Sequence, residues 1–339
     1  MSTPAPALPV IDLSRLDPAG EEFQSFHAEL RAAARKSGVF YLVGHGVDPA
    51  LIAEVFALSR RFFDLPAAEK EAVAMVNSPH FRGYTRNGAE YTRGGADWRE
   101  QFDINAERPT LPTGQGDSSW TRLQGPNQWP SALPGLRPLL LRWQQAQTAV
   151  ALRLLRAFAV ALGQRADALD GLVGEAPGEH LKIIRYPGRH ETEGEQGVGP
   201  HKDSGLITFV SQHERGGLQV ETATGWLDVP LLPGSFVVNI GEILELASNG
   251  FLRGTVHRVV TPPSGTDRLS SAYFLGPRLD AEVPLLDLPA EIAALATGPA
   301  SDPLNPLFRN VGRNTLKGRL RSHPDVAARW HGDLLTDAA

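Results

Sequence analysis

From Leu181 to Phe274 the chain alternates short runs of β-branched and apolar residues with turn-forming clusters of Gly, Pro, Asn and Ser. Runs bounded in this way read as strands, and their regular succession restricts this half of the chain to a layered or closed β core. A set of polar residues falls inside that half. His201 and Asp203 lie two apart, just before the strand-like run Gly205-Leu206-Ile207-Thr208-Phe209-Val210. Alternate residues of an extended chain share a face, so this imidazole and this carboxylate can reach one point. Val256-His257-Arg258-Val259-Val260 reads as another short strand, and His257 is expected to face His201 across a barrel.

Two histidines and one carboxylate on one side of a metal leave the opposite positions open, the donor set of non-haem Fe(II) oxygenases. Zinc sites often use thiolates, which are excluded here because the chain has no cysteine. Ten histidines make decoys inevitable, and His323-Pro324-Asp325 and His331-Gly332-Asp333 repeat the spacing. The first has the chemistry of a helix start; the second lies in a polar tail. Neither precedes a strand. Arg268 and Ser270, again two apart, follow His257 by eleven positions. A guanidinium fork beside a hydroxyl suits one carboxylate, giving a second anchor for a co-substrate that chelates the metal at its other end.

These residues resemble the isopenicillin N synthase-like branch of the Fe(II)/2-oxoglutarate-dependent dioxygenases. The resemblance covers nearly the whole chain: Leu8-Pro9-Val10-Ile11-Asp12-Leu13, Ser37 to Val47, Arg185-Tyr186-Pro187, Gly216-Gly217-Leu218-Gln219-Val220, Val238-Asn239-Ile240-Gly241 and Arg321-Ser322-His323-Pro324 occur in that branch's order. It implies that His201, Asp203 and His257 bind Fe(II), and that Arg268, Ser270 and Tyr186 hold the distal carboxylate of 2-oxoglutarate. It further implies that O2 takes an open metal position, that succinate and CO2 are released, and that a C–H bond of a small-molecule substrate is oxidised, usually by hydroxylation. Ile184 stands where many plant members carry Asn, so polar help at that point is missing. In this branch His45 is structural, and its flanking Gly44 and Gly46 suggest a tight turn. Asn239 lies on an apolar strand, either steadying the site by a hydrogen bond or as a satisfied core amide.

The expected architecture is α+β, a double-stranded β-helix (jelly roll) with flanking helices. Residues 1–135 are expected to form an N-terminal helical and loop region, 136–280 the backing helix and catalytic core, and 281–339 a C-terminal helical region, all as one structural unit. Apolar periodicity predicts helices from Glu21 to Lys36, Pro49 to Val73 and Leu136 to Leu162, with a loop-rich stretch from Asn77 to Pro134. A net charge of -5 gives no basis for a nucleic-acid partner. No apolar run approaches a membrane span, and Met1 to Pro6 lacks signal-peptide features. With no cysteine, a cytoplasmic location is expected. The oligomeric state is open.

Phe81-Arg82-Gly83-Tyr84, Trp98 to Asp103, and Phe274 are expected to line the substrate pocket. Arg82, Arg93, Arg185 and Arg189 point to an anionic substrate. Three other readings stand beside this one. An isopenicillin N synthase-type oxidase needs no 2-oxoglutarate but shares these residues. A non-catalytic metal-binding jelly roll would close its coordination sphere, and a metallohydrolase would need a further base near the triad.

Overall fold

Strand and turn alternate through the second half of the chain as its pattern predicts, and they build two sheets with a cavity between them. In the computed structural model, residues 8–17, 19–112, 118–300, 302 and 305–335 are described; the Met1 to Pro6 stretch lies outside them. In chain order the early strands are β1 (Val10–Asp12), β2 (Val39–Val43), β3 (Gly83–Thr85), β4 (Glu90–Thr92), β5 (Gly95–Asp97) and β6 (Glu100–Asn105). The later ones are β7 (Gly178–Tyr186), β8 (Gln196–His201), β9 (Ile207–His213), β10 (Leu218–Thr222), β11 (Gly225–Asp228), β12 (Phe236–Ile240), β13 (His257–Val260) and β14 (Arg268–Gly276). The larger sheet runs β1-β2-β12-β9-β14-β7-β6-β3 and the smaller β11-β10-β13-β8, while β4 and β5 form a separate hairpin. This is the expected jelly-roll core with flanking helices.

Period-two alternation explains which side chains meet the cavity. Along β14, Arg268, Ser270, Ala272 and Phe274 line it. The intervening Leu269, Tyr273 and Leu275 join the main apolar core. That core is closed by the 26-residue helix Leu136–Ala161, on which Leu139, Leu140, Trp143, Val150, Leu154 and Phe158 are buried. The helix Phe23–Lys36 buries Phe26, Leu30, Ala33 and Ala34, the stripe expected from a 3.6-residue period.

Two expectations need correction. The helix predicted from Pro49 to Val73 is two helices, Pro49–Phe63 and Ala67–Glu71. Pro66 caps the second, and the residue before a proline is disfavoured in helical conformation. The stretch from Asn77 to Pro134 is not merely loop, because it supplies β3 to β6, and β6 pairs with β7 inside the larger sheet. Its buried charges Glu90, Asp97, Glu100 and Asp103 hid the strand pattern. No helix among the described residues is long and apolar enough to cross a membrane.

Trp143 ties the backing helix to the sheet. It is fully buried, its ring meets Phe236 edge-on at 5.9 Å, and Nε1 donates to Ser271 Oγ at 3.1 Å. Trp143→Ala is expected to lower unfolding free energy by about 3–5 kcal/mol, read from the denaturation midpoint.

Candidate metal centre

β8 and β13 run antiparallel with His201 directly opposite His257. Paired side chains on one face have Cβ atoms about 5 Å apart, and the two imidazole centroids are 4.3 Å apart. The histidines are therefore neighbours on adjacent strands of the smaller sheet, not partners across the barrel. The chain order hides this, because β13 enters the sheet between β8 and β10. Asp203 lies two residues past the end of β8, with Oδ1 3.7 Å from His201 Nε2 and Oδ2 3.6 Å from His257 Nε2. All three ligand atoms lie within 4.8 Å of one another.

Hydrogen bonding sets the tautomers. His201 Nδ1 contacts Gly199 O at 2.8 Å and His257 Nδ1 contacts Thr255 O at 3.1 Å. A carbonyl only accepts, so each Nδ1–H donates there and each Nε2 is the ring nitrogen turned toward Asp203. Asn239, on β12, donates from Nδ2 to Asp203 Oδ2 at 3.2 Å and sits 3.4 Å from His257 Nε2. Of the two roles open to it, the geometry favours steadying the cluster. Burial and the neighbouring His257 lower the His201 pKa to about 4. Burial raises that of Asp203, but His257 and His201, together with hydrogen bonds from Thr208 and Asn239, hold the carboxyl below its usual range. Two imidazole nitrogens and one carboxylate are the donor types that a divalent first-row metal takes.

Further along the cavity, Arg268 is opposite Tyr186 in the β14–β7 pairing, with its guanidinium 4.8 Å from the Tyr186 ring centroid. It is 1% exposed, and burial lowers its pKa. It donates to Ser270 Oγ at 3.1 Å and Gln212 Oε1 at 3.2 Å, and its Nε–H has no acceptor among the described residues. Among them no carboxylate pairs with it. A buried guanidinium surrounded by neutral groups suits an incoming carboxylate. A side chain at Gly197 would strike the Tyr186 ring at 2.9 Å, so the bare glycine lets that ring pack against β8. Gln212 escaped the sequence reading because nothing local links it to Ser270, opposite it in the β14–β9 register.

The cavity enclosing both groups has a volume of about 960 Å³. Arg82, Arg99 and Phe274 line it as expected, and so do His180, Lys182, Arg108 and Arg319, which the sequence reading did not single out. Phe81 and Tyr84 belong to the buried core instead. Arg185 pairs with Glu100 at 2.6 Å, and Arg189 pairs with Glu195 at 2.7 Å. His45 stacks on Phe236 at 4.1 Å within a turn where Gly44 and Gly46 take positive φ, a structural placement. His323 joins two helices, with Pro324 opening the second. His331 is not in a polar tail: it is buried and stacked on Phe81 at 5.1 Å.

Residues 8–132 match the family described as non-haem dioxygenase in morphine synthesis N-terminal, and residues 178–277 match the 2OG-Fe(II) oxygenase superfamily. The chain is 37% identical to the 2-oxoglutarate-dependent dioxygenase frbJ of Dothideomycetidae sp. (strain 11243), over 96% of this chain and 92% of that protein. It is 34% identical to homoarginine-6-hydroxylase 2-ODD-C23.1 of Arabidopsis thaliana, over 85% and 90% of the two chains. Among solved structures it is similar to a full-length Neurospora crassa protein in complex with alpha-KG and 5-formyluracil, with TM-score 0.73, 25% identity and coverage of 95% and 98%. It is also similar to JOX2 in complex with 2OG, Fe and JA, with TM-score 0.71, 26% identity and coverage of 95% and 88%. Likeness of this extent, together with the two matched segments, makes the chain a member of the 2OG-Fe(II) oxygenase superfamily in its isopenicillin N synthase-like branch, an enzyme class that works with Fe(II), 2-oxoglutarate and O2.

Proposed function

We propose that His201, Asp203 and His257 hold the Fe(II), that Arg268, Ser270 and Tyr186 hold the distal carboxylate of 2-oxoglutarate, and that the substrate is a small anionic molecule hydroxylated in the cytoplasm. The observation that carries this reading is the pairing of features in one cavity. An open-faced set of two imidazoles and a carboxylate lies at one place, and a buried guanidinium with no acid beside it among the described residues lies at another. The relatives named for homoarginine and the neighbour holding 5-formyluracil support a small organic substrate. A chain without cysteine suits a reducing compartment.

Bound at the triad, Fe(II) and 2-oxoglutarate supply an O2-derived oxidant while the co-substrate is consumed to succinate and CO2. The chain's own part is positioning and exclusion of water. Arg268 and Ser270 fix one end of the co-substrate as a fork and a donor, leaving its keto-acid end to reach the triad. Asn239 and the Gly199 and Thr255 carbonyls hold the metal donors in one orientation. Val198, Val210, Leu218 and Val259 give the inner wall an apolar surface that keeps water from the reacting carbon. The 2-oxoglutarate-independent oxidase is not favoured, since the relatives are named as 2-oxoglutarate-dependent enzymes and hydroxylases.

An anaerobic visible spectrum tests the assignment: Fe(II) plus 2-oxoglutarate should give a metal-to-ligand charge-transfer band that is lost in His201→Ala. Iron binding without a band overturns the co-substrate reading. Arg268→Lys should raise the 2-oxoglutarate concentration needed for half-maximal turnover roughly tenfold or more, because a point charge cannot replace the fork; an unchanged value removes Arg268 from that role. Asn239→Ala should weaken Fe(II) affinity about 10–100-fold in an anaerobic metal titration while the circular dichroism spectrum stays the same.

A further inference from the structure

The cavity carries more positive charge than the co-substrate site needs. Ten Lys and Arg residues line it against five Asp and Glu, in a chain whose acids outnumber its bases by 38 to 33. Most of these cations have partners. Glu90 takes Arg99 and, at 3.0 Å, Lys182. Lys202 reaches Glu245 at 2.7 Å. Asp103, fully buried, lies 2.7 Å from His180 Nε2, 3.3 Å from Lys182 and 3.6 Å from Arg319.

Arg82 and Arg108 differ, because among the described residues the hydrogen bonds they make reach only backbone carbonyls. Arg82 donates to His80 O and, at 2.7 Å, to Leu123 O, while Arg108 donates to Pro177 O at 2.8 Å. Arg82 is 4% exposed, and its Nε–H has no acceptor among those residues. Burial and the like charges of Arg319 and Arg108 push the Arg82 guanidinium down to about 9, with Asp103 opposing. Two carboxylates, Asp103 and, beside Arg108, Glu179, face these three arginines, and Asp103 is also shared with Lys182 and His180, which leaves a buried excess of positive charge. The preceding residue, Phe81, is a buried non-glycine held at φ 58, a cost that such positions bear where a side chain must be aimed.

The cluster also lies at the correct end of the cavity. His180 is opposite Phe274 in the β14–β7 register and stacks on it at 5.0 Å. Arg319 Nη2 donates to the His180 ring at 3.0 Å, toward Nδ1, since Nε2–H is given to Asp103. Phe274 is six residues from Arg268 along β14, roughly 20 Å at the rise of a strand, so an anion held here does not compete with 2-oxoglutarate.

We propose that Arg82, Arg108 and Arg319 form a binding site for the carboxylate of the substrate, whose carbon skeleton lies along Phe274 toward the triad. This rests on the reading above that the enzyme is Fe(II)- and 2-oxoglutarate-dependent. The substrate class is then an organic acid held by its carboxylate, with the oxidised carbon away from that end.

The test uses the full chain with Fe(II) and saturating 2-oxoglutarate, anaerobically, titrated with butyrate, hexanoate, benzoate and phenylacetate, each against its primary amide. The readout is perturbation of the charge-transfer band. Carboxylates should act at roughly tenfold to hundredfold lower concentration than their amides, and Arg108→Ala and Arg319→Gln should each erase that preference while keeping the unperturbed band. Equal action of acids and amides, or a preference that survives both substitutions, overturns the proposal. Failure of the wild-type band to form at all overturns the underlying reading and the proposal with it, so the two failures are told apart by the first spectrum.

Discussion

The opposition of His201 and His257 across β8 and β13 is the contact on which the rest of the site depends. Side chains on a strand alternate faces, so a slip of one residue would turn His257 out of the cavity and leave a single imidazole beside Asp203. The pairing shifts register between His257 and Val259, an irregularity of the kind that re-aims side chains next to functional sites. Asp203 sits beyond the strand end, where the chain is free to turn its carboxylate back between the two rings. Asn239 then reaches it from the opposite sheet, so one polar contact joins β12 of the larger sheet to the ligand strands of the smaller one.

A second consequence follows from the same alternation. The inward face of the larger sheet carries Arg268 and Ser270 near one end and Phe274 with His180 near the other, with Ala272 opposite Lys182 between them. Charged groups therefore sit along the whole of this face, and the middle one, Lys182, is held by Glu90 and Asp103. In low dielectric each buried cation is costly unless an anion answers it. Glu90 and Asp103 answer Arg99 and Lys182, whereas no carboxylate among the described residues answers Arg268. Positive charge left in excess inside the cavity is a structural reason for it to receive anions.

What was legible in the chain follows the physics of each segment. The helices Phe23–Lys36 and Leu136–Ala161 lay within two residues of their predicted limits because their apolar stripes have helical period. The triad was legible because His201 and Asp203 lie two apart in sequence and the strand around His257 is apolar. β6 was hidden: its inward positions are Gln101 and Asp103, and its neighbours include Glu90 and Asp97, all buried. A hydrophobicity pattern only weakly marks a strand in which Phe102 and Ile104 alone are apolar and the side chains buried on its other face are polar. For the same reason Arg185 looked like a cavity arginine, though it is spent on Glu100, while Arg108 and Arg319 drew no attention.

The sequence by itself determined the kinds of donor available, the absence of thiolates, the strand-and-turn rhythm of the core and the likeness to iron oxygenases, since these depend on residue type and spacing along the chain. Only the tertiary structure decided that the two histidines are lateral neighbours, that Gln212 shares Arg268 with Ser270, and that Arg82, Arg108 and Arg319 gather near Phe274. Those relations join residues far apart in the chain, such as Arg82 and Arg319. They are set by strand order and by the packing of the helix Val311–Ser322 beside the cavity, which no local pattern encodes.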